Sequence, residues 1–329
     1  MTHVRVMLEY FHPWTNAAGF YVASANGWYR DAGLDVQVTL FDPLRGDTLD
    51  HLARGETEFG VFPTNRLLVH REQGEELVAV AAVNQRGMET IQALAGQGIE
   101  RPRDLAGRRV ALRPTPRGLA MVRHLVSADG GDPDAVDVVD SGFREISVDD
   151  IAAGRVAVDA TFGGYWAWDA LFTHLPAERR IMWPVDEIGA PAYHSYLLGT
   201  QADRVRDDSE LIRAFLAATA RGFAAAAAEP DVTLRVLNQV VPYFPAGLLA
   251  RSLALIGPTW FHGGQWGTIR SELMSGYAAW LGQCGILAQP ESWPSAVAAA
   301  ARGYGSTATS CATPGFPSSS TDNIAAYVR

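Results

Sequence analysis

Apolar and polar residues along the first 92 positions change pattern in short blocks. Residues 34–40 place Leu34, Val36 and Val38 on one face, as a half-buried strand does, and 78–83 is a continuous apolar run that predicts a buried strand. Further strands are predicted at 4–8 and 58–62, and helices at about 17–32, 46–54 and 63–73, the first of them ended by Gly33. Strands that alternate with helices predict a parallel sheet with helices on both faces.

A second strand–helix pattern starts after Gly107. It predicts strands at 109–112, 136–139 and 158–162, and helices at about 117–128 and 146–154. Beyond Leu198 the chain becomes helical, with helices predicted at 208–229, 231–240, 245–256 and 267–285. We therefore predict an α/β fold of two lobes, the second inserted in the first. The predicted parts are lobe 1 with the C-terminal helices (1–92 and 198–302), lobe 2 (93–197) and a flexible tail rich in Ser, Thr, Gly and Pro (303–329).

The charge of the chain narrows the classes of partner. Of its 329 residues 19% are charged and the formal net charge is −9, so we expect no binding to nucleic acid, which needs a concentrated basic face. No stretch approaches the roughly 18 apolar residues that predict a membrane span. Met1 leads directly into the first strand without the features of a leader. We expect a cytoplasmic protein as the chain is given, and an extracytoplasmic one if a signal peptide has been removed.

The 27 basic residues are all arginine. Without lysine, no side chain can hold pyridoxal phosphate as an imine, and every cationic contact to a ligand must come from arginine or histidine. The eight histidines show no metal-ligand spacing, so we expect neither a metal nor a cofactor. Two cysteines are too few for a disulfide framework, and Cys284 lies in an apolar helix, which predicts a small core residue.

Candidate binding residues collect where predicted strands end and helices begin, which is where open α/β sheets bind ligands. Each group also has a simpler structural interpretation: a helix cap, a surface arginine, or core packing of one tryptophan, for which Trp168 is the better candidate. The groups are Trp14, Thr15, Asn16 and Tyr21 at the first helix; Asn65 and Arg66 at another; Arg113, Thr115 and Arg117 in the second lobe; and Tyr165, Trp166 and Asp169 after a pair of glycines.

Several motifs in these segments resemble one known family. The stretches P-x-T-N-x-x-G-x-Y-V-A, G-W-Y-x-x-A-G-L-D-V, G-G-Y-W-x-W-D and Y-A-A-W-L-x-x-x-G-I-L occur in order, and the resemblance covers about residues 4–295. Together they are similar to substrate-binding proteins of the thiamine-pyrimidine and alkanesulfonate group. The resemblance implies a two-lobed periplasmic-binding-protein-like fold of type II and an ABC permease as partner.

The resemblance also implies a role for residues 189–195. The family's G-V-P-x-Y-x-E segment stacks its tyrosine on a pyrimidine ring and bonds the ring through the glutamate. Here Tyr193 is retained and Ser195 stands at the glutamate position, so the ligand is expected to differ from the family's formylated pyrimidine. Related pyrimidine-precursor synthases carry lysine and histidine where this chain has Phe62 and Arg66, which argues against their chemistry.

The leading hypothesis is a hinge-closing binding protein for a small, planar, polar ligand, pyrimidine-like or another heteroaromatic or anionic compound. Trp14, Tyr21, Trp166 and Tyr193 would enclose a ring, and polar residues such as Arg66 would bind its edges. The alternative is a cytoplasmic enzyme on the same scaffold, a lyase, decarboxylase, desulfinase-like or biosynthetic enzyme. It would use His12, His194 and Asp169 as acid–base groups. A ligand sensor without transport is the third possibility.

Overall fold

The computed structural model describes residues 1–299 and 301. They form two compact units. Unit 1 comprises Met1–Gln85, His194–Ser275 and the described residues from Glu291 onwards, and unit 2 comprises Arg86–Tyr193 and Gly276–Pro290. The sequence placed the crossings near residues 92 and 198 and assigned every later helix to the first lobe, whereas Gly276–Pro290 belongs to unit 2. The tail predicted at 303–329 lies outside the described residues.

The elements alternate along the chain much as the apolar pattern predicts. The strands are β1 (Thr2–Leu8), β2 (Leu34–Leu40), β3 (Phe59–Pro63), β4 (Leu77–Ala82), β5 (Glu89–Leu94), β6 (Arg109–Leu112), β7 (Asp137–Asp140), β8 (Ala160–Tyr165), β9 (Arg180–Pro184), β10 (Tyr196–Gln201), β11 (Phe261–His262) and β12 (Gln265–Trp266). The helices are α1 (Ala18–Ala25), α2 (Trp28–Asp31), α3 (Thr48–Ala53), α4 (Thr64–Glu72), α5 (Pro116–Ala128), α6 (Val148–Ala152), α7 (Ala202–Asp207), α8 (Ser209–Ala228), α9 (Pro230–Val240), α10 (Ala246–Ile256) and α11 (Ser271–Gln283).

The sheet of unit 1 has the order β2-β1-β3-β10-β4. β1 pairs in parallel with β2 and β3, but β10 runs antiparallel to β3 and β4. The sheet is therefore mixed, and the expectation of a parallel sheet is wrong for this part. Gly199 makes the insertion of β10 possible, because a Cβ there would lie 2.5 Å from both the Phe62 ring and the Val78 carbonyl oxygen.

The sheet of unit 2 has the order β7-β6-β8-β5-β9. β6 is parallel to β7 and β8, whereas β5 runs antiparallel to β8 and β9. The sequence pattern missed β5 and β9 and placed the end of β8 at Phe162. As in the first sheet, the parallel strands are followed by loops that carry polar and aromatic residues.

The helix α8 packs closely on α1 in unit 1. A Cβ on Gly222 would lie 2.1 Å from the carbonyl oxygen of Gly19, so glycine is required where the two backbones approach. On the same helix, the buried Phe215 stacks on Phe59 with ring centroids 4.1 Å apart.

Two single segments differ from their local sequence pattern. By length and composition alone, α8 is apolar enough to cross a membrane, but its aromatic residues Phe215 and Phe223 are buried, as is typical of a core helix. Cys284 is exposed just after α11, not a core residue, because the helix ends at Gln283 and the chain turns there.

Candidate functional site

The candidate residues lie in both units. Unit 1 contains Trp14, Thr15, Asn16, Tyr21, Asn65, Arg66 and Ser195, and unit 2 contains Arg113, Thr115, Arg117, Tyr165, Trp166, Asp169 and Tyr193. About half of them lie between the end of a strand and the next α-helix, and Asn65, Arg66 and Arg117 lie in the first turns of α4 and α5.

The loop after β1 holds Thr15 and Asn16 in a buried polar network. The Asn16 and Asn84 amides donate to each other, at 3.0 and 2.8 Å. The Trp260 indole N–H donates to Asn16 Oδ1 at 3.0 Å, and Thr15 Oγ1 bonds Ser252 Oγ. Neither side chain caps the helix it precedes. The two residues therefore fix the loop to distant parts of unit 1.

Aromatic side chains cover the outer part of the same loop. We call Tyr10, Phe11, His12, Trp14, Phe41, Tyr243 and Phe244 the aromatic cluster; its ring contacts include Tyr10 with Trp14, Phe11 with Phe41, and His12 with Phe244, at 5.4, 5.6 and 4.9 Å. Phe11 is 50% exposed and Tyr243 62% exposed. Tyr10 and Trp14 also line a pocket of about 20 Å³, room for one water. Only Trp14 and His12 of this cluster are candidates from the sequence, although Tyr10 and Phe11 follow β1 directly and Phe41 follows β2.

The remaining unit 1 candidates lie partly buried. Burial raises the pKa of Tyr21, and Tyr243 adds to this rise. Asn65 is half-buried in the first turn of α4, and Ser195 is buried just before β10.

Arg66 lies in a network of charges at the end of β1. Its guanidinium pairs with the buried Glu9, and Arg66 Nη1 lies 3.6 Å from Asp47 Oδ2. The Glu9 carboxylate also accepts the Thr48 backbone N–H at 2.7 Å. Burial raises the pKa of Glu9 above its ordinary value, while Arg66 opposes the rise. Glu9 and Asp47 are not candidates for this site from the sequence, because these carboxylates and Arg66 are far apart along the chain.

His70 extends this network. Its Nε2 lies 3.3 Å from Asp47 and its Nδ1 lies 2.7 Å from Glu75. Burial opposes the charge of the imidazole, but these two carboxylates outweigh it and raise the pKa of His70 to about 9. Asp47, Asp50 and His70 also lie close enough to share a metal ion. Asp47 and Asp50, however, form the capping box of α3, so these groups are already bonded within the fold.

Unit 2 holds Arg117 in a buried cluster with Glu89, Tyr193 and Tyr277, which we call the Glu89 cluster. Glu89 pairs with the Arg117 guanidinium and accepts the Tyr193 hydroxyl at 2.7 Å. Arg117 Nε donates to Tyr277 Oη at 2.8 Å. Burial opposes the charge of Arg117, but Glu89 outweighs it and holds the pKa of the guanidinium well above its ordinary value. Burial and the charge of Glu89 raise the pKa of Tyr193.

The Tyr193 ring is stacked inside the same unit. It lies parallel to the Tyr277 ring, with centroids 4.6 Å apart, and Tyr277 in turn stacks on Trp280. The Arg117 guanidinium carbon lies 5.1 Å from the centre of the Tyr193 ring. Tyr193 is 4% exposed, so its ring is supported by protein atoms before any ligand arrives.

Two other unit 2 loops carry the remaining candidates. Thr115 caps α5, since its hydroxyl oxygen accepts the Gly118 N–H, and the exposed Arg113 lies over the Phe143 ring at 4.2 Å. After β8, Asp169 accepts the Tyr165 backbone N–H at 2.8 Å. The Trp166 indole donates to the Gly87 carbonyl at 3.1 Å, and Trp166 is buried like Trp168.

The histidines named for the enzymatic alternative make hydrogen bonds with the backbone. His194 Nδ1 donates to the Asn84 carbonyl at 2.9 Å, and Nε2 accepts the Arg270 N–H at 3.0 Å, an arrangement that fixes a neutral tautomer. Burial lowers the pKa of His194 to about 4. His12 Nδ1 lies 2.9 Å from the Pro13 carbonyl oxygen.

Comparison with known proteins agrees with this architecture. Residues 14–233 match the family model described as NMT1/THI5 like. The formylaminopyrimidine-binding protein of Halalkalibacterium halodurans is 29% identical over 245 residues, which cover 74% of this chain and 72% of that protein.

Solved structures share the fold at low identity. The alkanesulfonate-binding protein SsuA of Xanthomonas axonopodis pv. citri, bound to MOPS, superposes with a TM-score of 0.65 at 13% identity, over 88% of this chain and 96% of that one. The periplasmic aliphatic sulphonate binding protein SsuA of Escherichia coli gives 0.64 at 15% identity, over 90% and 95%. Since the family model covers well over half of its residues, the chain belongs to the NMT1/THI5-like family.

Proposed function

We propose that this protein is a two-lobed, hinge-closing binding protein for a small, planar, polar ligand, and that it delivers the ligand to an ABC importer. The observation that carries the proposal is that strands in both α/β units end in loops with aromatic side chains beside polar ones. In unit 1 these are the aromatic cluster and Glu9, and in unit 2 they are Tyr165, Trp166 and Asp169. Flat apolar surfaces with polar edges suit a heteroaromatic ring.

The ion pairs of Arg66 and Arg117 favour a neutral or hydrogen-bond-donating ring as ligand over a sulfonate or phosphate. Arg66 is paired with Glu9, and Arg117 is paired with Glu89, each within its own unit. A guanidinium that already neutralises a carboxylate offers less charge and fewer hydrogen bonds to an anionic ligand. This supports a nitrogen heterocycle of the pyrimidine class, in line with what the 29% identical relative is named for.

A ligand screen tests the proposal. Thermal shift and then calorimetry would compare aminopyrimidines, flavins, aromatic acids and alkanesulfonates. We expect aminopyrimidines to raise the melting temperature and alkanesulfonates to leave it unchanged. Phe11→Ala should weaken the binding, while Leu44→Ala, a change at a 95% exposed aliphatic residue, serves as the control. Binding of sulfonates alone would contradict the choice of ligand class.

The role in transport needs a separate test. An importer subunit of this type works outside the cytoplasmic membrane, so the proposal places the working protein there. Uptake of a labelled ligand by cells with and without the chain would separate transport from sensing. The enzymatic alternative has less support, since both ring nitrogens of His194 are bonded to backbone groups. Chemical conversion of a bound compound by the protein would support the enzymatic alternative instead.

A further inference from the structure

The first crossing between the units is fixed on both sides by neighbouring residues. Gln85 belongs to unit 1, where its backbone N–H donates to the Thr259 carbonyl at 2.7 Å and its side chain donates to the Thr268 carbonyl at 2.9 Å. The next residue, Arg86, belongs to unit 2 and pairs with Asp186. Motion of one unit against the other must therefore act on the backbone torsions of this pair.

The second crossing has the same arrangement. Tyr193 is bound in unit 2 through Glu89 and Tyr277, whereas His194 is bound in unit 1 through Asn84 and Arg270. Here, too, two adjacent residues carry side chains that are anchored on opposite sides of the crossing.

The third crossing is different because it lies inside a helix. α11 runs from Ser271 to Gln283, and the units divide it between Ser275 and Gly276. An unbroken helix would resist the motion that the first two crossings permit. Glycine weakens a helix relative to alanine, because it gains more backbone freedom when the helix opens.

Packing does not require a glycine at this point. Gly276 is exposed, and a Cβ built on it would meet no atom within 4 Å among the described residues, apart from its chain neighbours and the backbone of its own helix. By contrast, Gly19 and Gly222 are held by close contacts, with Cβ positions 2.2 Å from the Phe223 ring and 2.1 Å from a backbone oxygen. A helical glycine without a steric reason, at the point where the helix passes from one unit to the other, calls for another explanation.

We propose that Gly276 is the flexure point of α11, the place where the helix bends or opens when the units move. This inference rests on the hinge closure of the proposed function. It defines the hinge as two residue pairs, Gln85–Arg86 and Tyr193–His194, together with Gly276; the fourth crossing, Pro290–Glu291, returns the chain to unit 1.

The test compares two matched substitutions. Gly276→Ala removes the proposed flexure, and Gly247→Ala makes the same change at an exposed, uncrowded glycine of α10, away from the crossings. Spin labels at Gln73→Cys in unit 1 and Ala135→Cys in unit 2, in a Cys284→Ser/Cys311→Ser background, report the distance between the units by electron–electron resonance without any ligand. Both positions are exposed.

We expect Gly276→Ala to narrow the distance distribution by at least a third and to slow amide exchange at 277–280. Gly247→Ala should leave both unchanged, while both variants raise the melting temperature. Equal distributions in the two variants, with a broad wild-type distribution, would overturn the role of Gly276 and leave the hinge intact. A single narrow wild-type distance that no ligand of the screen shifts would instead contradict hinge closure itself, and this inference with it.

Discussion

The side-chain amides of Asn16 and Asn84 donate hydrogen bonds to each other at 3.0 and 2.8 Å, although 68 residues separate them. The pair joins the loop after β1 to the segment that precedes the first crossing. Asn84 also donates to Thr259 Oγ1, and Asn16 also accepts from Trp260. Both asparagines are almost fully buried, so the bonds have no competition from water.

Removing one amide should therefore cost more than one hydrogen bond. We expect Asn16→Ala to lower the free energy of unfolding by about 1–3 kcal/mol, since the partner's polar groups stay buried and unpaired. Urea unfolding measures this, with Asn65→Ala as a control on a half-buried amide. The Asn16→Ala/Asn84→Ala double variant should lose less than the sum of the single losses. Strict additivity would show that the two amides do not act as a pair.

His70 predicts a pH dependence of stability. Its pKa is raised from 6.5 to about 9, so the folded state holds the proton more tightly than the unfolded state. The stabilisation is fully present below pH 6.5 and is lost as the pH rises through 9. We expect the wild type to lose on the order of 1–3 kcal/mol more than His70→Gln between pH 6.5 and 9.5.

The matched control for this titration is His3→Gln. His3 lies in an exposed pair with Asp35, and exposed pairs contribute little to stability, so this variant makes the same change of side chain outside the network. Parallel profiles for the wild type and His70→Gln would show that the imidazole is not held between its two carboxylates in solution.

Tyr193 allows a separation of folding from ligand binding. Tyr193→Phe removes the bond to Glu89 and keeps the stack on Tyr277, so it should cost about 1–2 kcal/mol of stability. Tyr193→Ala also removes the ring and should cost about 3–5 kcal/mol. If the ring contacts the ligand, as the sequence leads us to expect, Tyr193→Ala weakens binding by about 1–3 kcal/mol, whereas Tyr193→Phe binds nearly as the wild type does. Calorimetry at a temperature where both variants are folded measures these affinities. Equal affinities of Tyr193→Ala and the wild type would show that Tyr193 is not part of the binding site.

The strands that the sequence predicts best are those with a clear local pattern. The alternation over 34–40 and the short apolar run at 109–112 coincide with β2 and β6. β10 was missed because Tyr196–Gln201 is buried on both faces and contains Gly199, so no alternation marks it. Its place in the sheet depends on the approach to Phe62 and Val78, which no local pattern encodes.

The candidate site divides in the same way. A strand end followed by a helix start drew attention to Asn16 and Arg66, and in the structure Asn16 lies in a short 3-10 helix after β1 and Arg66 in the first turn of α4 after β3. Their partners could not be predicted, because they are distant in sequence: Trp260 is 244 positions from Asn16 along the chain, and Glu9 is 57 positions from Arg66. Such pairs form only when the sheet brings distant loops to one edge, so a residue-by-residue analysis recognises one member of each pair.

Glu9 and Arg66 provide the last prediction. Burial raises the pKa of Glu9, and Arg66 opposes that rise, so Arg66→Ala should let the pKa of Glu9 rise further. A carboxyl whose folded pKa lies above the unfolded value loses stability as the pH rises through the folded pKa. We therefore expect Arg66→Ala to cost about 1–3 kcal/mol at pH 8, since Arg66 is one-third exposed, and clearly less at pH 5. Unfolding of the variant and the wild type across this range measures the effect, and Arg66→Ala/Glu9→Gln, which lacks the Glu9 charge, should remove the difference in pH dependence between Arg66→Ala and the wild type. If the double variant kept the same slope, the buried carboxylate would not be its source. If Arg66→Ala instead left stability unchanged and abolished binding of an anionic compound, the main role of the guanidinium would be to bind the ligand and not to neutralise Glu9. The preference for a neutral ring would then be wrong.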